Sequence, residues 1–116
     1  MTEQDRKNLA DWYERTIGYL PKSIAFGMKH DPQFLKIHRR MWEVAIKTLP
    51  KQAAPFMMIR DAMPCNDREA LREAVLLSKA WGINKEWIIR GITQTAHYFT
   101  SFRGLYAAAD AIEDLV

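Results

Sequence analysis

Four polar side chains recur along one predicted helix at intervals suited to acid–base chemistry. Arg90, Gln94, His97 and Ser101 are separated by four, three and four residues, so on a regular α-helix they share one face. An arginine can pair a carboxylate, and a histidine with an ordinary pKa of about 6.5 can move a proton. The spacing predicts a site for a small organic acid, although a solvated face of an amphipathic helix gives the same pattern.

Three further residues are candidates for the same chemistry. Tyr98 and Arg103 are close enough to His97 in sequence to contribute to one cleft. Cys65 comes just before a predicted helix start, where the helix dipole and free N–H groups lower the pKa of a thiol. A nucleophilic thiol and an inert structural cysteine are both consistent with this position.

The sequence carries no pattern for a metal or another cofactor. His30, His38 and His97 do not have the spacing of a metal-ligand set, and the single cysteine has no partner. The five glycines never cluster into a phosphate-binding loop. We therefore expect no metal and no cofactor, and we interpret His38 as a hydrogen-bonded core histidine.

Proline and cap residues divide the chain into helical lengths, and no strand-like alternation is present. The pattern predicts one all-α domain over residues 1–116, a compact bundle of about six to seven helices. The predicted starts and ends are Thr2 to Gly18, Lys22 to Lys29, Asp31-Pro32 onward, Pro50 to Pro64, Asn66 to Gly82, and Asn84 onward with a bend near Thr100-Ser101.

Broad apolar faces predict both a core and contacts between copies of the chain. The third helix is expected to be half-buried along one stripe, and the last helix is expected to direct its large side chains inward. These two sets are Phe34, Ile37, His38, Met41, Trp42 and Ala45 on the third helix, and Phe102, Leu105, Tyr106, Ala109 and Ile112 on the last. The apolar surplus predicts a homo-oligomer.

Composition and charge narrow the class of protein. Of 116 residues, 48% are apolar and 27% charged, which is the balance of a folded chain and excludes disorder. The net charge of +3 is too mild to require a nucleic-acid partner. One cysteine, no secretion-signal pattern at the N-terminus and no apolar run long enough for a bilayer predict a cytoplasmic protein without a membrane partner.

The order of these signals resembles the carboxymuconolactone decarboxylase-like superfamily. The resemblance lies in residues 21–30 followed by Asp31-Pro32, in the helix–glycine–cap–helix stretch 80–88, and in Tyr98 with the later Ala107. It implies an all-helical fold and homo-oligomers, often trimers or hexamers. It also implies one of two activities, either lactone decarboxylation or the thiol peroxidase chemistry of the alkylhydroperoxidase D-like branch.

Two departures from the family patterns bear on activity. Cys65 stands alone, with Arg68 where the second cysteine of a Cys-x-x-Cys would be, and a thiol peroxidase needs that resolving thiol to turn over. Ala74 stands where the decarboxylase branch places a histidine. A decarboxylase-like lyase therefore uses His97 as general acid and base in our hypothesis, with Arg90 or Arg103 on the carboxylate and Tyr98 orienting it. A non-catalytic oligomeric binding or scaffold protein is the alternative.

A second alternative is a helix-turn-helix DNA-binding protein. Residues 82–84, followed by Ile88 and Arg90, have the spacing of a turn and a recognition helix, and Lys36, Arg39 and Arg40 offer phosphate contacts. Against this, residues 87–89 are consecutive bulky apolar residues, whereas a recognition helix needs a polar outer face in its first turns.

Overall fold

The computed structural model describes the backbone of residues 1–116 and every side chain except that of residue 55. Helices account for 81% of the residues and no strand occurs in the described backbone, so the predicted all-α class is confirmed. The elements are α1 (Glu3–Ile17), α2 (Lys22–His30), α3 (Pro32–Thr48), α4 (Ala53–Ala62), α5 (Arg68–Ala80), α6 (Lys85–Thr95), a π-helical turn (Ala96–Thr100), α7 (Phe102–Ile112) and a final 3₁₀ turn (Glu113–Leu115).

The chain consists of two compact units, which are described separately. Unit 1 is Met1–Leu49 and contains α1 to α3, and unit 2 is Pro50–Val116 and contains α4 to α7. The single domain expected from the sequence stays a prediction. In the part of the chain that the structure describes, no helix combines the length and the apolar character needed to cross a bilayer.

Three predicted caps are confirmed. Thr2 accepts a hydrogen bond from the Asp5 N–H at 3.1 Å, and the Asp5 carboxylate accepts one from the Thr2 N–H at 2.9 Å, which closes a capping box. Asp31 and Asn84 each accept a hydrogen bond from the backbone N–H three residues later, at 3.0 and 2.9 Å. Each cap satisfies a backbone donor that a helix start would otherwise leave unpaired.

Two predicted helix starts are wrong. The carbonyl of Pro50 accepts a hydrogen bond from the Ala53 N–H at 2.9 Å and so belongs to a turn, and α4 begins only at Ala53. The N-cap of α5 is Asp67, whose carboxylate accepts from the Ala70 N–H at 2.9 Å. Asn66 instead adopts a left-handed backbone with φ 53°, a conformation that asparagine tolerates better than most residues.

Unit 1 does not bury the apolar stripe predicted on α3. Leu35 is the buried residue of that helix, and it lies 3.5 Å from the position of a Cβ added at Gly27 on α2. Phe34 and Met41 are 61% and 66% exposed, and His38 is exposed rather than in the core. The helical period locates an apolar stripe, but it cannot tell whether the same chain covers it.

In unit 2, the helices pack a continuous hydrophobic core around α5. That helix contacts both α4 and α7, and α4 also contacts α6. Ile59, Leu71, Val75 and Ile88 are almost completely buried in this core. The buried hydroxyls of unit 2 are satisfied locally; that of Ser78, for example, donates to a backbone carbonyl four residues earlier at 2.7 Å.

The predicted inward face of α7 is mostly wrong. Phe102 and Tyr106 are 77% and 76% exposed, Ala109 is exposed, Leu105 is half-buried and Ile112 is buried. The buried face consists of small residues ending in one large one, namely Gly104, Ala107, Ala108, Ala111 and Ile112. These small side chains let α7 approach its neighbours closely, and the large rings turn outward as a consequence.

Candidate functional site

The six residues predicted to form the site all lie in unit 2 and are all exposed. Arg90 and Gln94 are on α6, His97 and Tyr98 are in the π-helical turn, and Arg103 is in the first turn of α7. The sixth, Cys65, is exposed in the turn between α4 and α5. The site residues of α6 and α7 therefore occupy the surface on both sides of one irregular turn.

The π-helical turn changes the register on which the sequence prediction depended. The Ser101 N–H donates to the carbonyl of Ala96, five residues earlier, instead of four. A turn that contains one extra residue rotates everything after it relative to a continuous α-helix. Arg90 and Gln94 keep their common face on α6, but Ser101 leaves it.

Ser101 itself has an unusual backbone conformation. Its φ of 52° and ψ of −154° lie close to a region that residues other than glycine almost never occupy. Such a conformation costs about 1–3 kcal/mol and persists only when surrounding structure enforces it. Strained residues of this kind, like π-helical turns, concentrate at functional sites.

One aromatic ring contacts His97, and a second ring and a guanidinium continue this cluster. Its imidazole meets the Tyr98 ring edge-on, with centroids 4.9 Å apart, and the Tyr98 and Phe99 rings are 6.4 Å apart. The Arg60 guanidinium lies over the Phe99 ring at 4.7 Å from its centroid. Arg60 of α4 therefore joins this surface, a contact between helices that no spacing in the sequence indicates.

We name the four large exposed rings of this stretch the aromatic segment: Tyr98, Phe99, Phe102 and Tyr106. Their exposed fractions are 72%, 55%, 77% and 76%. At about 200 Å² for each aromatic side chain, the segment exposes roughly 550 Å². This summed area is comparable with the largest apolar patches that monomeric proteins usually show, and such patches are commonly interaction sites.

Cys65 lies in the turn between α4 and α5, whereas His97 lies in the π-helical turn after α6. In the described side chains no hydrogen bond reaches the Cys65 thiol. Arg68, which stands where a second family cysteine would be, forms an ion pair with Asp110 at 3.0 Å. Cys65 is therefore an exposed thiol to which no described side chain is hydrogen-bonded.

Burial perturbs one carboxyl group of unit 2 that the sequence did not single out. Desolvation raises the pKa of Glu73 on α5 above its usual value, and repulsion by Asp67 adds to the effect. For metals, no three His, Cys, Asp or Glu side chains among the described residues come together in a way that could hold an ion.

Comparison of the chain with protein-family models, with curated proteins and with solved structures finds no significant match.

Proposed function

We propose that the chain is a self-associating, carboxymuconolactone decarboxylase-like protein that takes a small organic acid or lactone beside the π-helical turn. The observation that carries this proposal is the backbone of residues 96–101, where a π-helical turn containing His97 ends at the strained Ser101. Strained backbone of this kind concentrates at sites that position a reacting group, and this tendency supports the proposal.

Self-association supplies the burial that the site lacks in one chain. Electrostatic catalysis is strongest where water is excluded, and His97, Arg90 and Arg103 are exposed. In the aromatic segment, Tyr98 contacts His97, and Phe102 precedes Arg103 in the chain. Its roughly 550 Å² is about two-thirds of what one partner contributes to a standard interface. A second copy placed over it would enclose His97, and the family resemblance suggests a trimer or a hexamer.

Each proposed role follows from the chemistry of its group. Arg90 or Arg103 pairs the carboxylate of the ligand, Gln94 adds an amide contact, and Tyr98 orients the ligand beside the imidazole. In decarboxylation the bond to the carboxylate carbon breaks, CO₂ leaves, and its electron pair stays on the substrate carbon. His97 delivers the proton that this carbon takes up. Cys65 has no part in this sequence of steps.

A non-catalytic binding or scaffold protein is the second candidate. It is favoured by the surroundings of His97, since the Tyr98 ring is the one ring contact of its imidazole among the described side chains and no hydrogen bond fixes its tautomer. General bases are usually oriented by a third group. DNA binding is less consistent with the surface of α6, because Trp87 and Ile89 in its first two turns are 50% and 36% exposed.

The proposal is tested by following CO₂ release from candidate γ-lactone carboxylic acids. We expect turnover by the natural chain and its loss in His97→Ala, with helicity and subunit number unchanged. His30→Ala is the matched control, because His30 is an exposed histidine at the end of α2 in unit 1. Equal turnover by His97→Ala would refute the role of His97, and thermal stabilisation by the acids without turnover would favour the binding protein.

A further inference from the structure

Unit 1 contains a cleft between α1 and α3 that none of the proposed chemistry uses. Its volume is about 540 Å³, which is within the range of small-molecule sites. On the α1 side it is lined by Asn8, Leu9 and Trp12, and on the α3 side by Lys36 and Arg39. We call it the α1–α3 cleft.

Spacing explains why these side chains converge. The α1 residues that line the cleft follow the intervals of one helix face, and so do the α3 residues. The two sets are Asp5, Asn8, Leu9 and Trp12 on α1, and Lys36, Arg39, Arg40 and Glu43 on α3. An α1 face with apolar, aromatic and amide side chains and one carboxylate therefore lies opposite an α3 face that is mainly cationic.

Two aromatic rings hold the central cation. The Arg39 guanidinium lies over the Trp12 ring, 5.3 Å from its centroid, and 6.0 Å from that of Tyr13. Stacking of this kind covers the flat face of a guanidinium and leaves its N–H edge free for a planar acceptor. In the described structure no carboxylate lies within 4 Å of Lys36, Arg39 or Arg40.

The acidic side chains of the cleft do not neutralise it. Asp5 is engaged in the capping box, and its hydrogen bonds with the Thr2 backbone and hydroxyl lower the pKa of its carboxyl group, with a smaller contribution from the charge of Lys36. Asp5 and Glu43 are the two carboxylates that line the cleft, and they are outnumbered by the three cationic side chains of α3. The Asn8 carbonyl accepts from Gln4 at 2.7 Å, so its amide nitrogen remains a donor.

We propose that the α1–α3 cleft binds a small organic anion with a flat apolar body, of which an aryl carboxylate is the simplest example. The Arg39 edge takes the carboxylate in a bidentate pair, with Lys36 and Arg40 adding charge. The Leu9 and Trp12 side chains take the ring. This site lies in a different unit from His97 and does not depend on the proposed function.

Titration calorimetry of the full chain with 2-naphthoate tests the proposal, with 2-naphthylmethanol as the neutral probe of the same shape. We expect 2-naphthoate to bind and the alcohol to bind at least about tenfold more weakly, because only the anion can form the charged hydrogen bonds. Equal affinity of the two probes, or no binding of either, would overturn the proposal.

Two variants locate the site. Arg39→Gln should weaken 2-naphthoate binding by about tenfold or more. Lys36→Gln, which leaves the stacked guanidinium in place, should weaken it by a smaller factor. Arg15→Gln is the matched control, because Arg15 lies on α1 outside the cleft and its Nε donates to the Asp11 carbonyl at 3.3 Å. Undiminished binding by Arg39→Gln and Lys36→Gln would refute the assignment.

A parallel measurement of duplex DNA binding distinguishes a site for a small anion from a surface that binds nucleic-acid phosphates. Salt-sensitive duplex binding that Arg39→Gln weakens, together with no binding of 2-naphthoate, would assign these cations to nucleic-acid phosphates and overturn the proposal. Turnover is assigned to the site in unit 2 and naphthoate binding to the cleft in unit 1, so loss of one and loss of the other are separate results.

Discussion

Unit 1 leaves most of the large apolar side chains of α3 exposed, whereas unit 2 buries a cluster of aliphatic side chains around α5 and exposes aromatic rings on its surface. On α3 the exposed set runs Phe34, Ile37, Met41 and Val44, each more than half exposed. The core cluster of buried residues runs from Ile59 to Ile112, within unit 2.

The difference lies in the residues available for close packing. In unit 2, a Cβ added at Gly91 would come within 2.7 Å of the Phe56 ring, and one added at Gly104 within 2.8 Å of Met63. Helices that approach this closely bury small and medium side chains completely. On α3 the apolar positions carry large rings and long chains, which need a second surface to cover them. Stability should therefore reside mainly in unit 2.

The largest expected effect is the loss of a core side chain of unit 2. Leu71→Ala should lower the free energy of unfolding by about 2–5 kcal/mol, because Leu71 is 1% exposed and its removal leaves a cavity. Ile37→Ala on α3 is the matched comparison, and it should change stability by only about 0.5 kcal/mol because Ile37 is 56% exposed. Urea denaturation measures both, and equal losses would contradict the contrast between the units.

An intermediate effect of opposite sign is expected at the strained turn. Ser101→Gly should raise the free energy of unfolding by about 1 kcal/mol, because relief of about 1–3 kcal/mol of strain exceeds the entropy cost of glycine. Ala25→Gly is the control in unit 1. Ala25 is exposed inside α2, where glycine should destabilise by about 0.5–1 kcal/mol. Loss of stability in Ser101→Gly would mean that the conformation carries no strain.

The smallest expected effect is on the pH dependence of stability, and the direction of that dependence differs between Glu73 in unit 2 and Asp5 in unit 1. Burial raises the pKa of Glu73 in unit 2 above its usual value of 4.5. Its contribution to stability is therefore fully present below pH 4.5 and is lost as the pH rises through the raised value. Glu73→Gln should be more stable than the natural chain at neutral pH, and the gain should vanish in acid.

Asp5 in unit 1 behaves in the opposite way. Its hydrogen bonds with Thr2 lower its pKa below 3.8, so its contribution is present above pH 3.8 and is lost as the pH falls through the lowered value. Asp5→Asn should be less stable than the natural chain at neutral pH, with the difference vanishing in acid. Thermal melts from acid to neutral pH measure both variants. The argument would be refuted if both variants were more stable than the natural chain at neutral pH, or if both were less stable.

Local signals in the sequence predicted the helices well. Thr2, Asp31 and Asn84 act within three residues of their own positions, so their cap hydrogen bonds could be read from the sequence. The prediction that Asn66 caps α5 failed because Asp67, one residue later, is an equally suitable N-cap and takes that position.

Features that depend on distant contacts could not be predicted. Residues 96–100 contain no proline or glycine to indicate a π-helical turn, and the turn changed which residues of α7 point inward. The stacking of Arg60 on Phe99 and of Arg39 on Trp12 joins residues more than 25 positions apart. The sequence identified His97, Arg90 and Arg103 as candidates, but their surroundings follow from tertiary structure.

Sedimentation equilibrium of the natural chain and of Phe102→Ser/Tyr106→Ser tests most directly whether the aromatic segment closes the site between copies of the chain. Both substituted rings are more than three-quarters exposed, so the double variant should keep its helical spectrum. We predict an assembled natural chain and a monomeric double variant. A natural chain that is monomeric at every concentration would contradict the account, and so would an assembly that survives the double substitution but is lost in Phe34→Ser/Met41→Ser.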